Sequence, residues 1–234
     1  MNLNYKNICR SPITIGLLFA VIVIEFISTK STRTINSATI LNFYFSSVTV
    51  FYAYAIIPSC FVAIKYNLIK MFENQSVIIR YSSLYNWFSY IRKNSIILTF
   101  FTVISFCLIP TIIGIIYTGI NLKQIGFIFI SIIVQILGLI VIDNIFDFFY
   151  IRNLNKLYSS LITIALVILP EYISKFFVIK LSTLTTIIFI PADNIYNLKY
   201  IISIMILDSL LIIILQFINK KELNSLTKKD LIFL

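Results

Sequence analysis

A chain of 234 residues that is 59% hydrophobic and 12% charged, with a mean hydropathy of +0.98, lies far from the roughly half-apolar makeup of soluble domains. Its formal net charge of +10 would suit nucleic acid, but the bases are scattered among apolar stretches and leave no soluble basic face, so a membrane is the better partner and nucleic acid is excluded. Histidine is absent, and Cys9, Cys60 and Cys107 form no C-x-x-C pair, which argues against metal chemistry, a disulfide framework and the commonest general base and reads the cysteines as packing residues.

At about 20 residues per crossing, the apolar runs read as an all-α, polytopic transmembrane bundle of about six spans without a separate soluble domain. The first run follows Lys6 and Arg10 like a secretory signal, but no small-residue cleavage pattern follows, so residues 11–29 are expected to be an uncleaved first span. Span two, residues 41–64, carries Ser46 and Ser47, and Pro58 near its inner end; its hydroxyls can bond their own backbone.

The next segment, Lys65 to Ser95, is too polar to cross. Val77, Tyr81, Leu84, Phe88 and Ile91 form one apolar stripe at helical spacing, with Arg80, Ser83, Asn86 and Lys93 mostly away from it and Asn74 as the expected N-cap. Tyr85, Trp87 and Tyr90 add amphipathic rings suited to a membrane interface. This predicts an amphipathic interfacial helix over 72–92, either lying on the inner leaflet or docking a cytoplasmic partner.

Spans three (95–118) and four (125–148) are separated only by residues 119–124, a tight antiparallel hairpin; spans five and six are expected at 157–178 and 200–218. Between these last two, an apolar patch from Leu184 to Pro191 is too short to cross and reads as a re-entrant or lid segment over 179–197. With the N-terminus inside, the inner segments hold Lys65, Lys70, Arg80, Arg92, Lys93, Arg152, Lys156 and both basic ends of the chain, most of the 19 Lys and Arg residues, so both termini are expected to be cytoplasmic.

Glu25, Asp143, Glu171 and Asp208 fall in or near spans, where a charge at the helix centre costs at least about 2.5 kcal/mol. All four are candidates for pathway or interspan polar residues, and Asp208, mid-span, is the best of them. Asp143 and Asp147 lie one turn apart near the inner end, where water and Arg152 are expected to accommodate them; Glu171 follows Pro170, a natural bend, and Glu25 and Glu171 are placed to snorkel. No G-x-S-x-G, H-E-x-x-H or G-x-x-x-x-G-K-[ST] occurs, so neither catalysis nor ATP hydrolysis is expected of this chain.

The run from Glu73 to Trp87 resembles the interspan segment of small bacterial ABC-2 type permeases, where an Arg-aromatic-Ser/Gly run precedes a Trp, and Phe217 to Leu223 resembles their ending. Such permeases have six spans, inner termini and, between spans two and three, a coupling helix that fits a groove on the ATPase. The resemblance therefore implies a multi-pass protein of the bacterial cytoplasmic membrane and carries the docking role to Arg80, Tyr81, Ser82, Ser83 and Trp87. It also implies a second permease chain, identical or related, separate ABC ATPase subunits that bring ATP and Mg, and no cofactor in this chain. The expected cargo is an amphipathic, membrane-active peptide or a lipid-like molecule, for export or immunity. The alternatives are a stand-alone membrane immunity or accessory protein that binds a peptide without ATP, and a secondary carrier using Asp208 and Glu25.

Overall fold

The computed structural model describes residues 39–47, 56–72, 83–153, 155–177 and 197–225, together with Phe19 and Val23. Among the described residues every regular element is a helix: α1 (Ile40–Ser47), α2 (Ile57–Phe72), α3 (Leu84–Thr118), α4 (Leu122–Asn153), α5 (Lys156–Phe177) and α6 (Leu198–Ser225). Three are long and apolar enough to cross a membrane, Tyr85–Thr118 within α3, α4 and α6, and α5 adds a shorter apolar stretch over Lys156–Pro170. Span one and the segment 179–197 lie outside the described residues, apart from Phe19, Val23 and Asn197.

Each helix start with a resolved cap uses a short polar side chain to satisfy an amide that the first turn leaves open. Thr39 Oγ1 accepts from the Asn42 amide, Ser83 Oγ from Asn86 at 3.2 Å, Asn121 Oδ1 from Gln124 and Asn197 Oδ1 from Tyr200. Asn155 Oδ1 takes two amides, those of Leu157 and Tyr158. The turn from α3 to α4 is built at Gly119, whose φ of 80° suits a residue without Cβ and whose amide closes on the Ile115 carbonyl at 2.9 Å.

Inside the helices, hydroxyls in apolar surroundings bond the carbonyl one turn back: Thr99 to Ser95, Thr102 to Leu98, Thr111 to Cys107, Thr163 to Ser159. Burying these side chains therefore leaves no donor unmet. Pro110 removes the amide that would close on Phe106.

Helix α4 is central, packing against α6, α5, α3, α1 and α2. Its buried set runs around much of its surface, from Ile128 and Val134 to Phe146, Tyr150 and Ile151, so it shows no single apolar stripe. Gly114 of α3 lets α1 approach closely; a Cβ there would sit 3.2 Å from the Ile40 Cα and 3.3 Å from the Phe43 Cβ. The outer face is apolar too, with Ile116, Phe129 and Phe217 73%, 64% and 72% exposed, the inverse of a soluble surface.

Two expectations change. In the region assigned to span two the described residues form α1 and α2, and α2 runs on to Phe72, so Lys65 lies within a helix rather than in an inner loop. The second half of the interfacial helix is also not separate, since Leu84 to Thr118 is one helix of 35 residues. Arg92 to Ser95 contain no Gly or Pro, and their polar side chains are met without a break: Asn94 Nδ2 donates to the Tyr90 carbonyl at 2.8 Å and Ser95 donates across to α4. Residues 73–82 lie outside the described residues.

Candidate functional site: a buried lysine between two aspartates

Lys65 sits on α2 with Phe61 one turn before it and Leu68, Ile69 and Phe72 after it, all buried, so its helical face points into the bundle. Asp143 and Asp147, one turn apart on α4, share a face with buried Leu139, Phe146 and Tyr150. Packing α2 on α4 brings the three together: the Lys65 ammonium lies 2.5 Å from Asp143 Oδ1 and 2.9 Å from the Asp143 carbonyl, and forms an ion pair with Asp147. Lys65 and Asp143 are fully buried and Asp147 nearly so, and the Phe146 ring lies 5.2 Å from the ammonium.

Ser95, near the start of α3, donates to the same Asp143 oxygen, so three helices meet at one carboxylate. Next to it, Asn144 ties in a fourth. Arg92 donates to its Oδ1 at 3.2 Å and Asn219 of α6 donates to its carbonyl at 3.0 Å, while its own amide group bonds Ile140. The C-terminal parts of α2, α4 and α6 and the N-terminal part of α3 are thus joined at the same end of the bundle.

Desolvating three charges is expensive, and their mutual attraction offsets that cost only while every partner stays in place. Such a cluster is therefore a joint that holds one arrangement firmly. Asp143 Oδ2 has no hydrogen-bond partner among the described residues. Among the described residues no group of three or more Cys, Asp or Glu side chains is placed to hold a metal ion.

Of the docking residues expected from sequence, Arg80, Tyr81 and Ser82 lie outside the described residues, as does Glu25. Ser83 is the N-cap of α3. Trp87 is a correction: it is 1% exposed and its indole donates to the Phe72 carbonyl at 3.0 Å, so it fastens α3 to the end of α2 and presents nothing to a partner. An amphipathic ring finds both apolar cover and a carbonyl there. Tyr85, Asn86, Ser89 and Lys93 are the exposed residues of this turn region.

The two aspartates are a second correction. They are buried on Lys65 rather than solvated beside Arg152, which instead pairs with Glu222 of α6 at 3.2 Å and lies 4.7 Å over the Phe148 ring. Glu171 lies in α5 directly after Pro170. Asp208 is fully buried on the stripe of α6 that includes Ile201 and Ile204, and neither carboxylate oxygen has a hydrogen-bond partner among the described residues.

A rule that sends bases to loops hides Lys65, and Asp147 and Ser95 join the site only through the packing of α3 and α4. The signal present was the helical spacing of Lys65 with Phe61, Leu68 and Ile69, which puts a charge on an apolar face. A second polar chain was equally invisible: Gln135 Nε2 donates to the Tyr44 hydroxyl, which shares a bond with Ser131, and the Cys107 thiol reaches Gln135 Oε1 at 3.2 Å. Compared with protein-family models, curated proteins and solved structures, the chain matches none.

Proposed function

We propose that the chain is the transmembrane permease subunit of an ABC-2 type exporter that moves an amphipathic or membrane-active peptide, or a lipid-like molecule, across the bacterial cytoplasmic membrane. Power comes from separate ATPase subunits that bind ATP and Mg and dock on the inner side, on the residues leading into α3. Two permease chains, identical or related, form the pathway. Residues 84–92 act as the inner extension of span three, and the docking contacts come from Arg80, Tyr81 and Ser82 together with the exposed Asn86 and Lys93.

The observation that carries this reading is the joint at the base of α3. A push on the segment before Ser83 meets Trp87 fastened to Phe72 and Ser95 fastened to Asp143, so it moves α2, α3 and α4 together rather than fraying one helix end. Rigid-body motion of this kind is how closure of a partner reorients spans. Few charges and many aromatic and hydroxyl side chains favour amphipathic cargo over ions.

The test is co-expression of the chain with its genomic neighbours, purification in mild detergent and a search for a co-purifying ATPase. An ATPase that is retained by wild type and lost with Arg80→Glu supports the proposal. A chain that purifies alone yet still confers peptide resistance overturns it in favour of a stand-alone membrane binder. Asp208 favours one further reading, a secondary carrier, because its buried carboxylate has no hydrogen-bond partner among the described residues and ionisable groups within spans mark proton and ion pathways. Transport that requires a proton gradient and fails in Asp208→Asn would select that reading.

A further inference from the structure

The end of the bundle that bears the Lys65 cluster also carries an open groove of about 320 Å³ between the first turns of α3 and the last turns of α6. Its polar lining is Tyr85, Ser89, Arg92, Gln216, Asn219 and Lys220, and no acidic side chain is among the residues that line it. The nearest acid in sequence, Glu222, is occupied by Arg152 at 3.2 Å. Two cations therefore face one cavity whose described lining holds no anion, Arg92 also lying within electrostatic reach of Asp147. Arg92 gives one N–H to Asn144, and a guanidinium has more to offer; Lys220 stands 5.9 Å over the Tyr85 ring.

Asn219 adds a second and independent requirement. The residue is 4% exposed, its side-chain nitrogen is used on the Asn144 carbonyl, and its Oδ1 is buried with no hydrogen-bond partner among the described residues. That oxygen needs a donor, which a headgroup hydroxyl supplies and an ionised phosphodiester alone does not. From the mouth of the groove, Ile213 and Phe217, 63% and 72% exposed, run back along the outer face of α6.

From these features we infer that the groove is a binding site for an anionic glycerophospholipid with a hydroxylated headgroup, of the phosphatidylglycerol class. The phosphodiester lies between Arg92 and Lys220, a headgroup hydroxyl donates to Asn219 Oδ1, and the acyl chains lie along Ile213 and Phe217. A basic pocket where helices leave the apolar layer is the place where such headgroups bind. The volume, about ten times the share of one water in the liquid, admits a glycerophosphate headgroup. The inference rests on the chain being embedded in a membrane and not on its docking an ATPase.

The experiment is native mass spectrometry of the full chain in detergent, titrated with short-chain phosphatidylglycerol, with phosphatidylcholine of the same chain length and with inorganic phosphate. Phosphatidylglycerol adducts are expected to exceed phosphatidylcholine adducts. Lys220→Gln is expected to weaken them about fivefold, the factor corresponding to about 1 kcal/mol for one basic residue at an anionic lipid. Ser89→Glu, which removes no bond and sets a carboxylate on the groove wall, is expected to weaken them further, and Lys221→Gln, outside this groove, to leave them unchanged. Equal binding of the two lipids, adducts with inorganic phosphate alone, or an equal loss from Lys221→Gln would each overturn the inference. A chain recovered without detergent from the soluble fraction would instead refute the membrane premise, a separate and recognisable failure.

Discussion

Replacing Lys65 with methionine keeps the length and most of the volume of the side chain and removes its charge, leaving Asp143 and Asp147 buried without their ammonium. Breaking a buried ion pair from one side costs about 3–5 kcal/mol. The upper half of that range is expected here, because one cation serves two carboxylates and Ser95 contributes only one hydroxyl. For a chain of this size each kcal/mol moves the melting temperature by about 2–4 °C, so Lys65→Met is expected to lower it by about 8–20 °C.

The assay follows directly from the fold. The chain has one tryptophan, Trp87, buried on Phe72 at the same end, so intrinsic fluorescence during a thermal ramp in detergent reports this joint. Adding Asp143→Asn and Asp147→Asn to Lys65→Met removes the orphaned charges and is expected to recover at least half of the loss. A melting temperature for Lys65→Met within about 2 °C of wild type, less than the shift of 1 kcal/mol in many domains of this size, would refute the reasoning. A triple variant no better than the single one would also do so.

Trp87→Phe keeps an aromatic ring but a smaller one, and leaves the Phe72 carbonyl without its indole donor; the unmet buried acceptor alone costs about 1–3 kcal/mol, to which the void adds, and the loss is to be read by circular dichroism melting. Gly114→Ala sets two effects against each other: helix propensity gains about 1 kcal/mol, while overpacking costs about 1–3 kcal/mol. Because the nearest neighbour is the Ile40 backbone at 3.2 Å, overpacking wins, and a small fall in the same melt is expected, with no change or a rise contradicting the α1–α3 contact. Asp208→Leu replaces a buried carboxylate that has no hydrogen-bond partner among the described residues and is expected to raise stability by about 1–3 kcal/mol; a lower melting temperature would show that Asp208 has a partner.

The places where helices begin were legible in part, because Asn and Ser before an apolar run have a local physical reason to stop and start the backbone. Asn121, Asn155 and Asn197 each cap a helix close to a span boundary expected from hydropathy alone. The long apolar helices were legible for the same reason, since composition and length decide them. The joint was not. A rule that sends bases to loops misplaces Lys65, whose charge is tolerable inside only because Asp143 and Asp147 arrive from a helix 78 or more positions away. Tyr44 and Gln135, 91 positions apart, show the same limit: each looks like an ordinary residue in its own helix, and only packing pairs them. Trp87 suited an interface by its chemistry, and its burial followed from the nearby end of α2.

The measurement that bears most directly on the permease proposal is photo-crosslinking from the exposed position Asn86, with Phe129 as a second probe site on the apolar surface of α4. Each is replaced in turn by benzoylphenylalanine in cells that also express the neighbouring genes, and the adducts are identified by mass. An adduct from position 86 to a protein bearing an ATP-binding motif, with only lipid adducts from position 129, is the predicted result. Lipid adducts alone from both positions, with the neighbouring ATPase present in the membrane fraction, would contradict it.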